Sequence, residues 1–279
     1  MTLPAPLIDH VIINARDALD EAADRWRRLG FQLTPRGHHT LGSSNNLAIL
    51  GNDYIELLGV MPGLAGRTDV LDWPEGLNGL ALKTLDSDGL YRVLDAAGVG
   101  ALPPQAFSRP VDMGDGRVGD AAFRTVRLPP HALAAGRMFF CHHLTPELVW
   151  HDPWRLHPNG AIGLAGMVIA AEEPEEVGAL FASLFGEAAV RHPLGQVVLP
   201  AGLATIEVLR PDDLAARFDS PIPRHPGRSQ AMAALVVRTV SLSRTAAALR
   251  TGGIEAVMRD RQIVVGMDEA GGLILVFQE

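Results

Sequence analysis

The chain has 279 residues, enough for one large domain or two smaller ones, each with its own core. A net charge of −8 without a basic run argues against a nucleic-acid partner, and a single cysteine, Cys141, excludes an internal disulfide framework and suits a reducing cytoplasm. Hydrophobic residues make up 47% and charged residues 20%, no apolar run approaches the roughly 20 residues that span a bilayer, and the start MTLPAPLIDHVII lacks a basic leader, so we expect a soluble cytoplasmic protein.

Taken in chain order, the predicted elements repeat. A strand LIDHVIINA (7–15) leads into a helix, ALDEAADRWRRLG (18–30), in which Leu19, Ala22, Ala23, Trp26 and Leu29 share one face. Strands follow at NLAIL (46–50) and DYIELLGV (53–60), joined by a Gly-Asn turn. A second copy begins at GLALKTL (79–85), with a helix DGLYRVLDAAG burying Leu90, Val93, Leu94 and Ala97, and strands near 121–128 and 137–143. A third has LAGMVIAA (164–171), a helix starting at Pro174, then QVVLP and ATIEVLRP. The fourth has AALVVRTV (233–240), a helix capped by Ser241 or Ser243, then IEAVMRD, QIVVGM and GLILVFQE, with GMDEAGG (266–272) read as a hairpin turn.

The pattern is β-α-β-β-β, four times, and a module with so small a curved sheet must pair with a neighbour to bury both of its faces. Two pairs predict an α+β protein of two domains, 1–150 and 151–279, joined near TPELVWHDPWRLHPNGA (145–161), a stretch rich in proline and turn formers. His151 and His157 in that stretch read as structural, and Trp150 and Trp154 as wedges between the two domains. His131, His192 and His225 sit beside prolines in loops and are assigned no role.

Four such modules resemble the vicinal oxygen chelate superfamily, which includes glyoxalase I, extradiol dioxygenases and bleomycin-resistance proteins. The run GHHTLGSSNNLAILGNDYIELLGV (37–60) is similar to the glyoxalase-like branch, through Gly37, His39, Gly42 and Asn45 followed by Tyr54-Ile55-Glu56-Leu57. The resemblance implies that paired sheets form a cup and that metal ligands come from the first and last strands of the modules. His10 and Glu56 occupy such positions.

Strand alternation agrees with that placement. It groups Ile8, His10 and Ile12 on one face, and Tyr54, Glu56 and Leu58 on one face of the other strand. A carboxylate within YIELLGV is costly to bury without a charged or hydrogen-bonding partner, and a metal, His10 itself or an arginine could each supply one. In module two, Gly79 aligns with His10, so a third ligand must come from FFCHH. Either His142 or His143 faces the cup, since neighbours on a strand point oppositely. The face that also carries Cys141 favours His143.

His10, Glu56 and His143 thus form the expected metal set, suited to Fe, Mn, Zn or Ni. Glu56 and His39 are the candidate proton-transfer groups, and His39, Asn45 and Tyr54 the candidate substrate contacts, with a solvated turn as the alternative for His38, His39 and Asn45. Cys141, in an apolar setting, reads as inert. The second pair of modules retains Glu207 but has Gly166 opposite the His10 position, and is expected to be degenerate as a metal site.

Two functions follow. One is a metal-dependent lyase, isomerase or dioxygenase acting on a small oxygenated molecule. The other is a metal-free cup that sequesters a small ligand in the manner of the bleomycin-resistance branch. Neither involves nucleic acid or a membrane, and a homodimer is compatible with both.

Overall fold

The computed structural model describes residues 2–60, 67–113, 118–225 and 227–279. The first sheet is assembled from β1 (Ile8–Arg16), β2 (Gly37–His38), β3 (Ser44–Ile49) and β4 (Tyr54–Gly59), then β5 (Gly76–Lys83), β6 (Gln105–Asp112), β7 (Val118–Arg127) and β8 (Arg137–His143). Its eight strands run in the order β2-β3-β4-β1-β5-β8-β7-β6, so the two modules join edge to edge through the antiparallel β1–β5 pair. The second sheet comprises β9 (Ala161–Ala171), β10 (Gln196–Ala201), β11 (Ala204–Leu209), β12 (Gln230–Thr239), β13 (Val257–Arg259), β14 (Gln262–Val265) and β15 (Ile274–Gln278). It repeats the plan less one strand, in the order β10-β11-β9-β12-β15-β14-β13 with β9 and β12 at the join; in the third module the outermost strand is reduced to a single bridge between Arg191 and Val198.

Each module's helix follows its first strand: α1 (Leu19–Arg28), then, beyond a short α2 (Thr68–Leu71), α3 (Ser87–Ala96), α4 (Pro174–Phe185) and, after α5 (Pro211–Phe218), α6 (Leu242–Thr251). Asp86 and Ser241 cap α3 and α6 by accepting from Gly89 N and Arg244 N, and Pro174 opens α4 where its missing N–H costs nothing. The face of α1 named above is buried throughout. In α3, however, Ala97 is exposed, Leu90 and Val93 are half-buried, and Leu94 carries the contact. The expected turn at 266–272 contains a helical turn, α7 (Met267–Ala270), ended by Gly271 in the left-handed region.

All strands of the first sheet precede residue 144, and all strands of the second follow residue 160. One hydrophobic cluster nevertheless spans both, combining Val11, Ile55 and Leu80 with Met167, Leu235 and Phe277 around Trp26 and Phe181. The connection between them is pinned rather than loose. Asn159 Nδ2 donates to Leu29 O at 3.0 Å, its Oδ1 accepts from Ala161 N, and Thr245 Oγ1 donates to its carbonyl at 2.7 Å. His157 Nδ1 accepts from Gln32 N at 3.0 Å and its Nε2 donates to Ile49 O at 2.8 Å. Trp150 and Trp154 do not wedge the two halves together. They pack with Leu47, Ile49 and Phe123 on the concave face of the first sheet, because the one-turn helices Pro146–Leu148 and Asp152–Arg155 fold the chain back over it.

Asp53, in the β3–β4 hairpin, accepts from Leu164 N at 3.0 Å and so bridges the two sheets. Burial raises its carboxyl to about 6, against which the Leu164 hydrogen bond acts only in part. A raised carboxyl contributes its stability fully below the unfolded value of 3.8 and loses it as pH rises through about 6. Asp53→Asn keeps an acceptor for Leu164 N and removes the buried charge. Urea unfolding should therefore show the variant gaining about 2–3 kcal/mol on wild type between pH 4 and pH 7. Parallel pH profiles for the two proteins would refute this.

Candidate active site

The concave face of the first sheet borders a cavity of about 370 Å³. β1 is central and buried along almost its whole length, which explains its nearly continuous apolar run. Two polar residues break that run on the concave side. Asn14 Nδ2 donates to the carbonyls of Val70, Trp73 and Pro74 at 2.9–3.1 Å, tying the α2 segment across one side of the cup. His10 faces the cavity, with its ring stacked on Tyr54 at 4.4 Å between centroids.

The junction between the modules departs from simple alternation. Ile8 pairs with Leu82 and His10 with Ala81, so Asp9 is an extra residue bulged out of β1. The bulge turns Ile8 into the shared core, away from His10 and Ile12, and brings the Asp9 carboxylate beside the His10 ring. Across the seam, Ala81 is the residue opposite His10. Gly79 lies opposite Ile12, whose side chain would stand 2.8 Å from any Cβ there.

Asp9 Oδ1 accepts from His10 Nδ1 at 2.7 Å and from His143 Nε2 at 2.9 Å, and Lys83 Nζ lies 3.5 Å from Oδ2. Burial pushes this carboxyl up, but the two histidine hydrogen bonds outweigh it and hold the group well below the usual carboxylate range. An ionised Asp9 fixes His10 with its proton on Nδ1 and leaves the Nε2 lone pair toward the cup.

In the cup, His10 Nε2 stands 3.6 Å from Glu56 Oε2, too far for a hydrogen bond. Asn45 Nδ2 donates to Glu56 Oε1 at 2.7 Å and lies 3.2 Å from His39 Nε2, which is itself 3.9 Å from Glu56 Oε1. Ser43 Oγ holds His39 from the other side, 2.9 Å from Nδ1. Burial lowers His39 to about 4, only partly offset by Glu56, so the ring is neutral at pH 7. Burial raises Glu56, but its histidine neighbours and the Asn45 hydrogen bond more than reverse this, and it is a carboxylate at neutral pH. His38, exposed, pairs with Ser44 outside the cup, and Cys141 is a buried thiol whose ionisation burial opposes.

His10, His39, Asn45, Tyr54 and Glu56 therefore border one cavity. His143 does not. It shares the concave side with Cys141, while His142 turns to Ser87 on α3, but it meets Asp9 and stacks on Trp150. Glu56 and His143 thus approach His10 through different ring nitrogens. Sequence reasoning missed Asp9, which alternation assigned to the opposite face, and Arg109 on β6, a strand it did not read at all.

Two sets of donor atoms stand close enough together to be weighed as a metal site. Among the described residues, Asp9, His10, Cys141 and His143 have donor atoms all within 4.8 Å of one another. Its contacts of 2.7 and 2.9 Å are hydrogen bonds, shorter than the spacing between two ligands of one ion. The second set is His10 Nε2 with Glu56. Two ligands about 2.1 Å from a tetrahedral ion stand roughly 3.4 Å apart, close to the 3.6 Å observed.

The second sheet has no equivalent site among the described residues. Its corresponding face is covered by Leu214 and Phe218 of α5, packed on Val168, Ala234 and Val276. Glu207, in the place of Glu56, is held by Arg217 of the same helix at 2.7 Å.

Paired β-α-β-β-β modules around a cup define the vicinal oxygen chelate fold. Residues 8–185 match the family model described as a glyoxalase-like domain, and the chain belongs to that family. Among curated proteins, none matches it. Solved structures share the fold at low identity. A hypothetical protein from Staphylococcus aureus aligns with a TM-score of 0.65 and 13% identity, over 98% of this chain and 99% of that one. A xylose isomerase-like TIM barrel/4-hydroxyphenylpyruvate dioxygenase fusion protein gives 0.62 and 13%, over 99% of this chain and 49% of that one. A mutant of 4-hydroxymandelate synthase from Streptomyces coelicolor gives 0.57 and 12%, over 99% and 92%. No helix in the described residues is long and apolar enough to cross a membrane.

Proposed function

We propose that the protein is a metal-dependent enzyme acting on a small oxygenated molecule, by lyase, isomerase or dioxygenase chemistry. One observation carries this reading: His10, fixed by Asp9 behind it, presents Nε2 to the cup 3.6 Å from a buried Glu56 carboxylate. His10 and Glu56 would hold the ion, with His39 as the nearest further nitrogen, while His143 acts through Asp9. A bound divalent ion supplies Lewis acidity toward substrate oxygens, and iron or manganese would add oxygen chemistry.

The chain's own contribution is positioning and proton handling. Glu56, held on one oxygen by Asn45, turns its other oxygen toward His10 and the cavity, where it serves as a ligand or, displaced from the ion, takes a proton from a substrate carbon or hydroxyl. His39, neutral and anchored through Ser43, can accept or return one. Aromatic walls at Phe107, Phe123 and Phe139 exclude water from the reacting groups. A cytoplasmic location and a homodimer remain part of the proposal.

A metal-free binding cup is favoured by a different observation: Asn45, His39 and Asp9 already give Glu56 and His10 hydrogen-bonding or charged neighbours. Metal analysis of untagged protein separates the two. Near-stoichiometric Fe, Mn, Zn or Ni that disappears in His10→Ala is the expected result. No metal in wild type, and none taken up on reconstitution, would leave the binding reading.

A further inference from the structure

We propose that the ligand of the cup is a carboxylic acid with a planar apolar body, and that Arg109 is the residue that receives its carboxylate. This rests on the cup being the ligand site, but not on the metal.

Arg109 lies on β6 and borders the cavity, yet it is only 2% exposed. Its Nε and Nη2, adjacent donors along one edge of the guanidinium, are buried without a hydrogen-bond partner among the described residues. Two parallel N–H groups on such an edge match the two oxygens of a carboxylate, and leaving them unmet inside the protein is costly. The approach is close: a Cβ on Gly37 would stand 2.9 Å from Arg109 Cδ and 2.5 Å from Asn45 Oδ1, so a side chain there would push the guanidinium and the Asn45 amide from their places.

The other charges at this end of the cup are committed. Arg67 makes a two-point contact with Asp69, at 2.7 and 2.8 Å, and Arg137 reaches the same carboxylate at 3.4 Å and Asn78 at 3.1 Å. Glu56 is held by Asn45, and no ion pair joins it to Arg109 among the described residues. Four arginines and three carboxylates border the cavity, which leaves it short of one negative charge. Beside Arg109, Phe107 and Phe123 stack at 5.2 Å between centroids, and His39 meets Phe107 edge-on at 5.3 Å. Rings packed on one another in this way form an apolar wall against which a flat group can lie.

The test is calorimetric titration with benzoate and phenylacetate, their neutral amides and inorganic phosphate, on EDTA-treated and metal-reconstituted protein. We expect the acids to bind at least tenfold more tightly than the amides or phosphate in both preparations. Arg109→Gln should lose at least tenfold toward the acids and little toward the amides. Arg109→Lys, which keeps a charge in place should the glutamine variant not fold, should lose the preference for carboxylate over phosphate. Equal binding of acid and amide, or acid binding unchanged in folded Arg109 variants, would overturn the proposal. So would a failure of either acid to bind. Acid binding that needs metal and ignores Arg109 would overturn it while leaving the metal reading intact. Arg109-dependent binding to a protein that takes up no metal would do the reverse.

Discussion

Asp9→Ala should destabilise the protein by about 3–5 kcal/mol, the cost of removing one partner from a buried charged network. The side chain is 1% exposed and is the common acceptor of His10 Nδ1 and His143 Nε2, with the Lys83 ammonium beside it. Truncation strands the two nearly buried histidine rings, whereas the half-buried Lys83 keeps access to water. The replaced atoms are few, so lost packing contributes little. Asp9→Asn, which keeps one acceptor oxygen but not the charge, should fall between the variant and wild type in urea unfolding. A second effect follows from the same geometry. Without Asp9 the His10 ring is free to exchange its nitrogens, and metal uptake should weaken on the order of 10–100-fold. A stability loss under 1 kcal/mol with unchanged metal affinity would show that the bulge is incidental.

Phe218→Ala is expected to cost a similar amount, about 3–5 kcal/mol, for a different reason. Phe218 is 3% exposed and fills the face of the second sheet that corresponds to the cup of the first, in contact with the strands β9, β12 and β15 through Val168, Ala234 and Val276. Its removal leaves a cavity lined by branched aliphatic residues that cannot collapse, since the strands beneath are fixed by their ladders. Because α5 occupies this face and Arg217 neutralises Glu207, the variant should bind cup ligands with the same stoichiometry and affinity as wild type. Thermal unfolding reads the first effect and calorimetry the second. A change in ligand affinity would mean that the two faces communicate through the core they share.

The repeat was legible because helix and strand periods are local. Leu19 to Leu29 recur at helical spacing, and the strands around His10 and Glu56 are long enough for their alternation to show. Beside proline the signal weakens. β6 went unread because Pro110 interrupts it, which the last strand in the sheet order tolerates, since its outer side meets Thr40 at Ser108 and forms no full ladder. Arg109 was lost with it. The short helix within 266–272 was hidden by the glycines that flank it.

The sequence by itself determined the module, its fourfold use, the seam between the halves, and the placing of His10 and Glu56 toward one cup, because each follows from side-chain periodicity along a single segment. Tertiary structure decided which carboxylate stands behind His10, that His143 bonds to Asp9 instead of bordering the cavity, that Nε and Nη2 of Arg109 have no hydrogen-bond partner among the described residues, and that α5 covers the corresponding face of the second sheet. These depend on the bulge at the β1–β5 seam and on contacts between distant segments, such as Asp9 with His143, 134 residues apart. A bulge of one residue reverses every face beyond it, and no local pattern announces where the partner strand will force one.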